Sequence, residues 1–360
     1  MKIAVLGDTH FDVSNSSEYM YSQQIKFFKE EFFPYLIENN IKTIFQLGDF
    51  FDNKLKVGTY TQFNLMKDFF DVLQENNIKM YYFVGNHDLY YKDKRKIFSL
   101  AVFEKAYSNL KVIKNMDIIE FENKKYMFVP WLYDDEIPTM ANMIREYNPE
   151  IIFGHFEIQD FYVSKEFQAT HGIDKNIFKN IKVVSGHFHL KQDIGNIFYV
   201  GTPYQSSWTD YNEIKGFHIL NTEDGNFEFI ENTVTAKHIQ IEVLSKEKKL
   251  IVQGFSQGVL EATINSKLDY SLFKGHNVKI FIDKDNAFNK KIVKAIMQEC
   301  NKYKVKLLNT DSDLKETIET SENMDLEFNV TASILERLET PYQKEVFNKI
   351  HAESLKQIDE

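Results

Sequence analysis

The sequence predicts an α/β protein, and three observations carry that prediction. Short apolar runs of strand length recur through the first half of the chain, and each ends abruptly in Gly with Asp, His or Asn. Between the first three runs lie stretches with helix-spaced apolar residues, 19–38 (Ile25, Phe28, Phe32, Tyr35, Leu36) and 62–74. Strand and helix alternating about every 35 residues is the βαβ grammar of a buried sheet, whose sites lie beyond the strands' carboxyl ends.

The runs are Ile3-Ala-Val-Leu-Gly-Asp8-Thr-His10, Thr43-Ile-Phe-Gln-Leu-Gly-Asp49, Met80-Tyr-Tyr-Phe-Val-Gly-Asn86-His87-Asp88, Ile151-Ile-Phe-Gly-His155 and Lys182-Val-Val-Ser-Gly-His187-Phe-His189. From Asn196 the grammar changes to short strands. A strand over 197–200 and a hairpin turning at Asp224-Gly225 are expected to complete a second sheet. Alternating runs (Ile239, Ile241, Val243; Val278, Ile280, Ile282) and an amphipathic helix over 288–303 predict a smaller α+β domain at 238–308. The first domain spans 1–235. Residues 309–327 hold seven acidic residues and one lysine and read as an acidic linker. In 328–360, Leu335, Leu338, Val346, Ile350 and Leu355 flank Pro341 and predict two short helices.

The 360 residues suit two or three domains, and 43% hydrophobic with 27% charged residues is ordinary globular usage. Cys300 is the one cysteine, so no intrachain disulfide and no cysteine-based zinc site is expected, and a reducing cytoplasm fits. The apolar run after Lys2 stops at Asp8, too soon for a signal peptide, and no run reaches the ~18 apolar residues of a membrane span. A net charge of −10 argues against an unassisted electrostatic nucleic-acid binder, but not against one that works through bound cations.

One Asp or His after a strand is ordinarily a turn former or a cap. Here five strand ends in succession supply Asp8, His10, Asp49, Asn86, His87, His155, His187 and His189. The remaining histidines, His171, His218, His238, His276 and His351, follow no such grammar and read as structural. Imidazole, carboxylate and one carboxamide without thiolate suit divalent Mn, Fe or Zn. Seven ligands exceed the needs of one ion and fit two, about 3.5–4 Å apart, that share a carboxylate. Asp49 is the expected bridge, with Asp8, His10 and His189 on one ion and Asn86, His155 and His187 on the other. Such a pair activates a water and clamps the attacking and leaving oxygens of a phosphoryl group. His87 is the expected catalytic acid that protonates the leaving alkoxide, with Asp88 orienting it; the alternative is a ligand or a supporting hydrogen bonder. Asp52 either backs the ligands or caps a helix.

The ordered series Asp-x-His, Gly-Asp-x-x-Asp, Gly-Asn-His-Asp, Gly-His and Gly-His-x-His resembles the calcineurin-like metallophosphoesterase superfamily. Within it, Ser185-Gly-His-Phe-His-Leu, Tyr199-Val-Gly-Thr-Pro203-Tyr, Lys215-Gly-Phe-His-Ile and Val129-Pro-Trp131 ahead of Gly154-His-Phe-Glu157 resemble the SbcD nucleases and their phage counterparts. The likeness covers residues 1–235 by motif. It implies a four-layer β-sandwich flanked by helices, and a manganese-dependent 3′ to 5′ double-strand exonuclease and single-strand endonuclease of recombination and repair. It also implies a homodimer with an SbcC-type coiled-coil ATPase, in a bacterial or phage-infected cytoplasm. On that likeness residues 238–308 would cap and orient DNA, and 328–360 would dock the ATPase. The stripe Phe63, Met66, Phe69, Phe70, Leu73 would be the dimer-forming helix, although a plain core stripe has the same spacing. Lys92, Lys94, Arg95 and Lys96 either meet the phosphate backbone or form a solvated loop.

Two competing readings stand beside this one. The metal cradle alone does not choose between DNA and a non-DNA phosphodiester or phosphoprotein. Asn53 stands where phosphoserine phosphatases carry Arg-Gly, and over a hundred residues follow the catalytic domain. A non-catalytic partner-binding module is the third reading, disfavoured by the full ligand set.

Overall fold

In strand β1 (Lys2–Leu6), Ala4 and Leu6 join one core while Ile3 and Val5 join another, the alternation of a strand buried on both faces. That strand is the centre of a layered α/β structure. The computed structural model describes residues 1–308 apart from 14–16, 54, 92–93, 166, 256–257 and 266–267. The expected linker at 309–327, the helices at 328–360, Lys92 and His351 lie outside the described residues.

After β1 come α1 (Glu18–Phe27), a π-helical turn (Phe28–Phe32) and α2 (Phe33–Glu38), leading to β2 (Thr43–Gln46). The unit repeats with α3 (Thr59–Leu65), a second π turn (Met66–Phe70), α4 (Asp71–Glu75) and β3 (Lys79–Phe83). A hairpin of β4 (Leu89–Tyr91) and β5 (Lys94–Phe98) and the helix α5 (Ala101–Ala106) precede β6 (Leu110–Ile113). β1, β2, β3 and β6 are parallel neighbours. The second sheet takes β7 (Asp117–Phe121), β8 (Lys124–Val129), β9 (Ile151–His155), β10 (Lys182–Gly186), β11 (Gln192–Ile194) and β12 (Ile197–Tyr199), with α6 (Ile137–Tyr147) between β8 and β9.

The layers follow from where the apolar side chains go. Phe45 and Phe83 of the first sheet meet Phe128 and Phe153 of the second between the sheets. Helical Phe27, Phe28, Phe32 and Phe69 cover the first sheet, and Met140 and Ile144 of α6 cover the second. The result is helix, sheet, sheet, helix.

The expected hairpin forms as β13 (Gly216–Asn221) and β14 (Phe227–Glu231), but it does not complete the second sheet. It returns to the first, with Ile3 paired to Leu220 in antiparallel register. Phe217 and Ile219 thereby bury against the helical aromatics of α1 and α2. Of the two expected pieces, only β12 joins the second sheet.

A third sheet, with its own core, comprises β15 (His238–Leu244), β16 (Lys249–Gln253), β17 (Val259–Thr263), β18 (Asn277–Ile282) and β19 (Lys302–Leu307), backed by α7 (Ala287–Met297). The expected helix to residue 303 is too long. Tyr303 and Val305 alternate with Lys302, Lys304 and Lys306, a period of two, and pair in parallel with β18. Side chains stitch this sheet to the rest: Tyr19 OH donates to Asn277 Oδ1 at 3.0 Å and the His238 N–H to Gln205 Oε1 at 2.7 Å. No helix among the described residues is long and apolar enough to cross a membrane.

Candidate metal centre

The expected ligands leave the carboxyl ends of β1, β2 and β3 in the first sheet and of β9 and β10 in the second, and they meet. The turns that deliver them are unusual. His10, Asp49 and His187 have φ of +42°, +49° and +86°, left-handed backbone that non-glycine residues adopt only where their surroundings hold them. Two glycines make room. A Cβ on Gly48 (φ +103°) would stand 2.3 Å from His155 Nδ1, and one on Gly85 would stand 2.2 Å from Asp49 Oδ1.

Three groups of donor atoms result: Asp8, His10 and His189; Asp49, His155 and His187; and His10, Asp52 and His87. His10 Nε2 faces His189 Nε2 at 2.9 Å, and Asp49 Oδ2 lies 3.2 Å from His155 Nε2. Asn86 Oδ1 lies 2.9 Å from His155 Nε2 and 3.1 Å from His187 Nδ1. All seven expected ligands are therefore brought together, and His87 stands beside them, its ring edge-on to that of His10 with centroids 5.1 Å apart.

Burial opposes the charged forms of His10 and His155, but Asp52 and Asp49 beside the first and Asp49 beside the second outweigh it and push both up to about 9, so a bound cation would take the place of those protons. Burial, with the charge of His155 adding, pushes His187 down to about 3, and burial with His10 does the same to His189, so both rings present neutral lone pairs. Burial opposes the ionised form of Asp49, but His155, His10 and His87 outweigh it and hold the carboxyl well below the usual range. Burial pushes Asp8 up to about 6. His10 Nδ1 is buried with no hydrogen-bond partner among the described residues; Asp52 Oδ1, at 3.4 Å, is an ion-pair neighbour without hydrogen-bond alignment. Imidazole and carboxylate atoms converging this closely, without sulfur, fit divalent ions of the Mn, Fe or Zn type.

Around the ligands lies a shell that spacing did not reveal. Gln24 Nε2 donates to the carbonyls of Thr9 (3.1 Å) and His10 (2.9 Å), and the Tyr204 hydroxyl also donates to Thr9 O. Lys215 is buried, donates to His189 O at 2.8 Å and pairs with Asp210 at 2.9 Å. The ring of Trp131 lies 5.1 Å from that of His187. The signal for Lys215 was its place at the head of an apolar strand, an unusual position for a lysine unless it is paired.

Several expectations need correction. Asp88 does not orient the His87 ring. It is fully buried, and its carboxylate accepts the N–H groups of Asp49 (2.9 Å), Phe50 (3.1 Å) and Gly85 (2.9 Å) and the Ser99 hydroxyl. The His87 ring is held instead by Asp52, through its backbone carbonyl. Asp52 caps no helix, since the N-cap of α3 is Gly58. Arg95 faces no phosphate: it forms a bidentate pair with Glu136 and also donates to Trp131 O. Of the apolar stripe, Phe69, Phe70 and Leu73 are core, while Phe63 and Met66 are exposed. His171 is exposed and His218 and His238 are buried away from the ligands, as their structural reading expected.

The calcineurin-like phosphoesterase family model matches residues 1–276. The chain is 30% identical over 236 residues to exonuclease subunit 1 of Enterobacteria phage T4, which spans 65% of this chain and 69% of the relative. Among solved structures, an archaeal phosphodiesterase aligns over 64% of this chain and 99% of its own at 15% identity, with a TM-score of 0.33. A dimetal phosphatase from Danio rerio aligns over 74% and 99% at 8% identity, with a TM-score of 0.40.

Proposed function

This chain belongs to the calcineurin-like phosphoesterase family, a family of metal-dependent phosphoester hydrolases, and on that premise we propose that it is a DNA nuclease using two manganese ions. It acts as a 3′ to 5′ double-strand exonuclease and single-strand endonuclease, the nuclease subunit of an SbcCD-like recombination and repair complex in a bacterial or phage-infected cytoplasm. The relative named exonuclease subunit 1 supports both the polymer substrate and the partner subunit.

Asp8, His10 and His189 would hold one ion and Asn86, His155 and His187 the other, with Asp49 contributing to both. When bound, such a pair supplies an activated water and neutralises charge on the phosphoryl oxygens. The chain's own residues do the rest. The observation that carries the reading is the placement of His87 at the edge of the cluster, where it groups with His10 and Asp52 and not with the other expected ligands. Its Nδ1–H donates to Asp52 O, so Nε2 is the nitrogen free to carry and release a proton to the leaving 3′ oxygen. Its backbone N–H donates to Asp49 Oδ1 at 2.8 Å, which ties the turn of the acid to the turn that carries Asp49. Exposed Phe63 of α3 and Met66 of the π turn after it supply a homodimer contact. The sheet at 238–308 orients DNA, and 328–360 docks an SbcC-type coiled-coil ATPase.

The test is a comparison of rates on duplex DNA, an aryl phosphodiester and a phosphopeptide in Mn²⁺. Fastest cleavage of DNA supports the reading. An inert DNA beside a hydrolysed aryl phosphodiester or phosphopeptide replaces it with a phosphoesterase of another substrate.

A further inference from the structure

The β4–β5 hairpin begins two residues after His87 and has no part in the ligand cluster. Its root is fixed: Ser99 N donates to Asp88 O at 2.9 Å and the Ser99 hydroxyl to the Asp88 carboxylate. Its second strand is fixed as well, since Arg95 is bonded to Glu136 and to the carbonyl of Trp131, whose ring leans on His187. Two routes therefore tie the hairpin rigidly to the site.

What it displays there is aromatic and basic. The register shifts between Leu89 and Tyr91, and Leu89 is buried while both tyrosines after it face solvent. Tyr90 and Tyr91 are 46% and 36% exposed, with ring centroids 4.9 Å apart and planes at 79°. Lys94 lies over the Tyr91 ring at 4.6 Å, and Lys94, Lys96 and Lys114 are exposed in a chain of net charge −10. Exposed rings beside lysines are the elements of a single-strand platform, where bases stack and phosphates pair with cations. Bases inside an intact duplex are stacked on both faces and offer none to such rings.

We propose that Tyr90 and Tyr91, with Lys94 and Lys96, stack the unpaired nucleotides that flank the scissile phosphate, so that the site receives a separated strand. Three residues span at most about 10 Å, which places Tyr90 within roughly three nucleotides of His87 at ~3.4 Å per base. The proposal rests on DNA being the substrate.

The test uses the full chain in Mn²⁺ with Tyr90→Ala/Tyr91→Ala and Tyr90→Phe/Tyr91→Phe double variants. The expected result is a loss of about tenfold or more in kcat/KM on a single-stranded oligonucleotide for the alanine variant, near wild-type rates for phenylalanine, and unchanged hydrolysis of an aryl phosphodiester by both. Quenching of a 2-aminopurine placed beside the cleaved bond should follow the same order. Wild-type single-strand cleavage by the alanine variant overturns the platform and leaves the nuclease reading standing. Loss of cleavage that tracks a change in oligomeric state overturns it in favour of a contact between copies. A wild-type chain that hydrolyses the aryl phosphodiester and no DNA overturns the nuclease reading, and the platform with it.

Discussion

His87 Nδ1 lies 2.7 Å from the backbone carbonyl oxygen of Asp52, a bond between the turn after β3 and the turn after β2. It fixes the tautomer and the direction of a ring that lies against His10 without joining the expected ligands. A carbonyl holds the ring whatever the side chain at position 52, so position 52 is free to act on His10 instead.

His87→Ala should therefore keep both metal ions and lower DNA cleavage by about 10²–10⁴-fold, the usual span for a lost proton donor. Metal content by mass spectrometry and single-turnover cleavage check it. A variant that loses metal contradicts the role assigned to His87.

Asp49→Asn should do the reverse. Asp49 is buried and touches both His155 and the His87 N–H, and a neutral amide in its place weakens the shared bridge. Bound manganese per chain should fall at both sites together. Unchanged stoichiometry contradicts bridging.

Asp88→Ala should destabilise the fold by about 3 kcal/mol or more, because it strands three buried N–H groups that converge on one carboxylate. Urea denaturation of the variant measures it. A change under 1 kcal/mol, on the order of one ordinary hydrogen bond, contradicts the anchoring role.

Acid should destabilise the protein through His218. Its ring is buried between Phe198 and Phe229, neither nitrogen has a hydrogen-bond partner among the described residues, and burial pushes it down to about 3. The unfolded chain binds a proton near pH 6.5 that the folded chain refuses. Its contribution is thus intact above about pH 6.5 and is lost progressively as pH falls toward 3, by up to about 1.4 kcal/mol per pH unit. His218→Phe should flatten the stability profile below pH 6.5 by about 2 kcal/mol at pH 5. An unchanged profile contradicts this assignment.

Phe63→Glu should convert a dimer to a monomer with little change in melting temperature, since Phe63 is 74% exposed. Light scattering reads the mass. A wild-type monomer contradicts the homodimer.

The convergence of the expected ligands was legible because each follows a strand, and strands ending in Gly-Asp, Gly-Asn or Gly-His stand out along the chain. What was not legible depends on partners far along the chain. Nothing near Arg95 announces Glu136, 41 residues away, and nothing near Gly216 announces that its strand will pair with β1. Asp88 misled because adjacency to His87 suggested contact, whereas its side chain turns inward to bind backbone 38 residues earlier. The stripe that runs from α3 to α4 failed for a local reason. The π turn at Met66–Phe70 changes the helical phase, so residues aligned on a 3.6-residue wheel part company, Phe63 outward and Phe70 inward.

The most direct test of the central claim is digestion of end-labelled linear duplex DNA by the full chain in Mn²⁺, with Mg²⁺ and chelator controls, alone and with an SbcC-type ATPase. Manganese-dependent release of nucleotides from the 3′ end, abolished by chelator and enhanced by the partner, is the predicted result. Duplex that stays intact in Mn²⁺ with the ATPase present, under conditions where the same preparation hydrolyses an aryl phosphodiester, would contradict it.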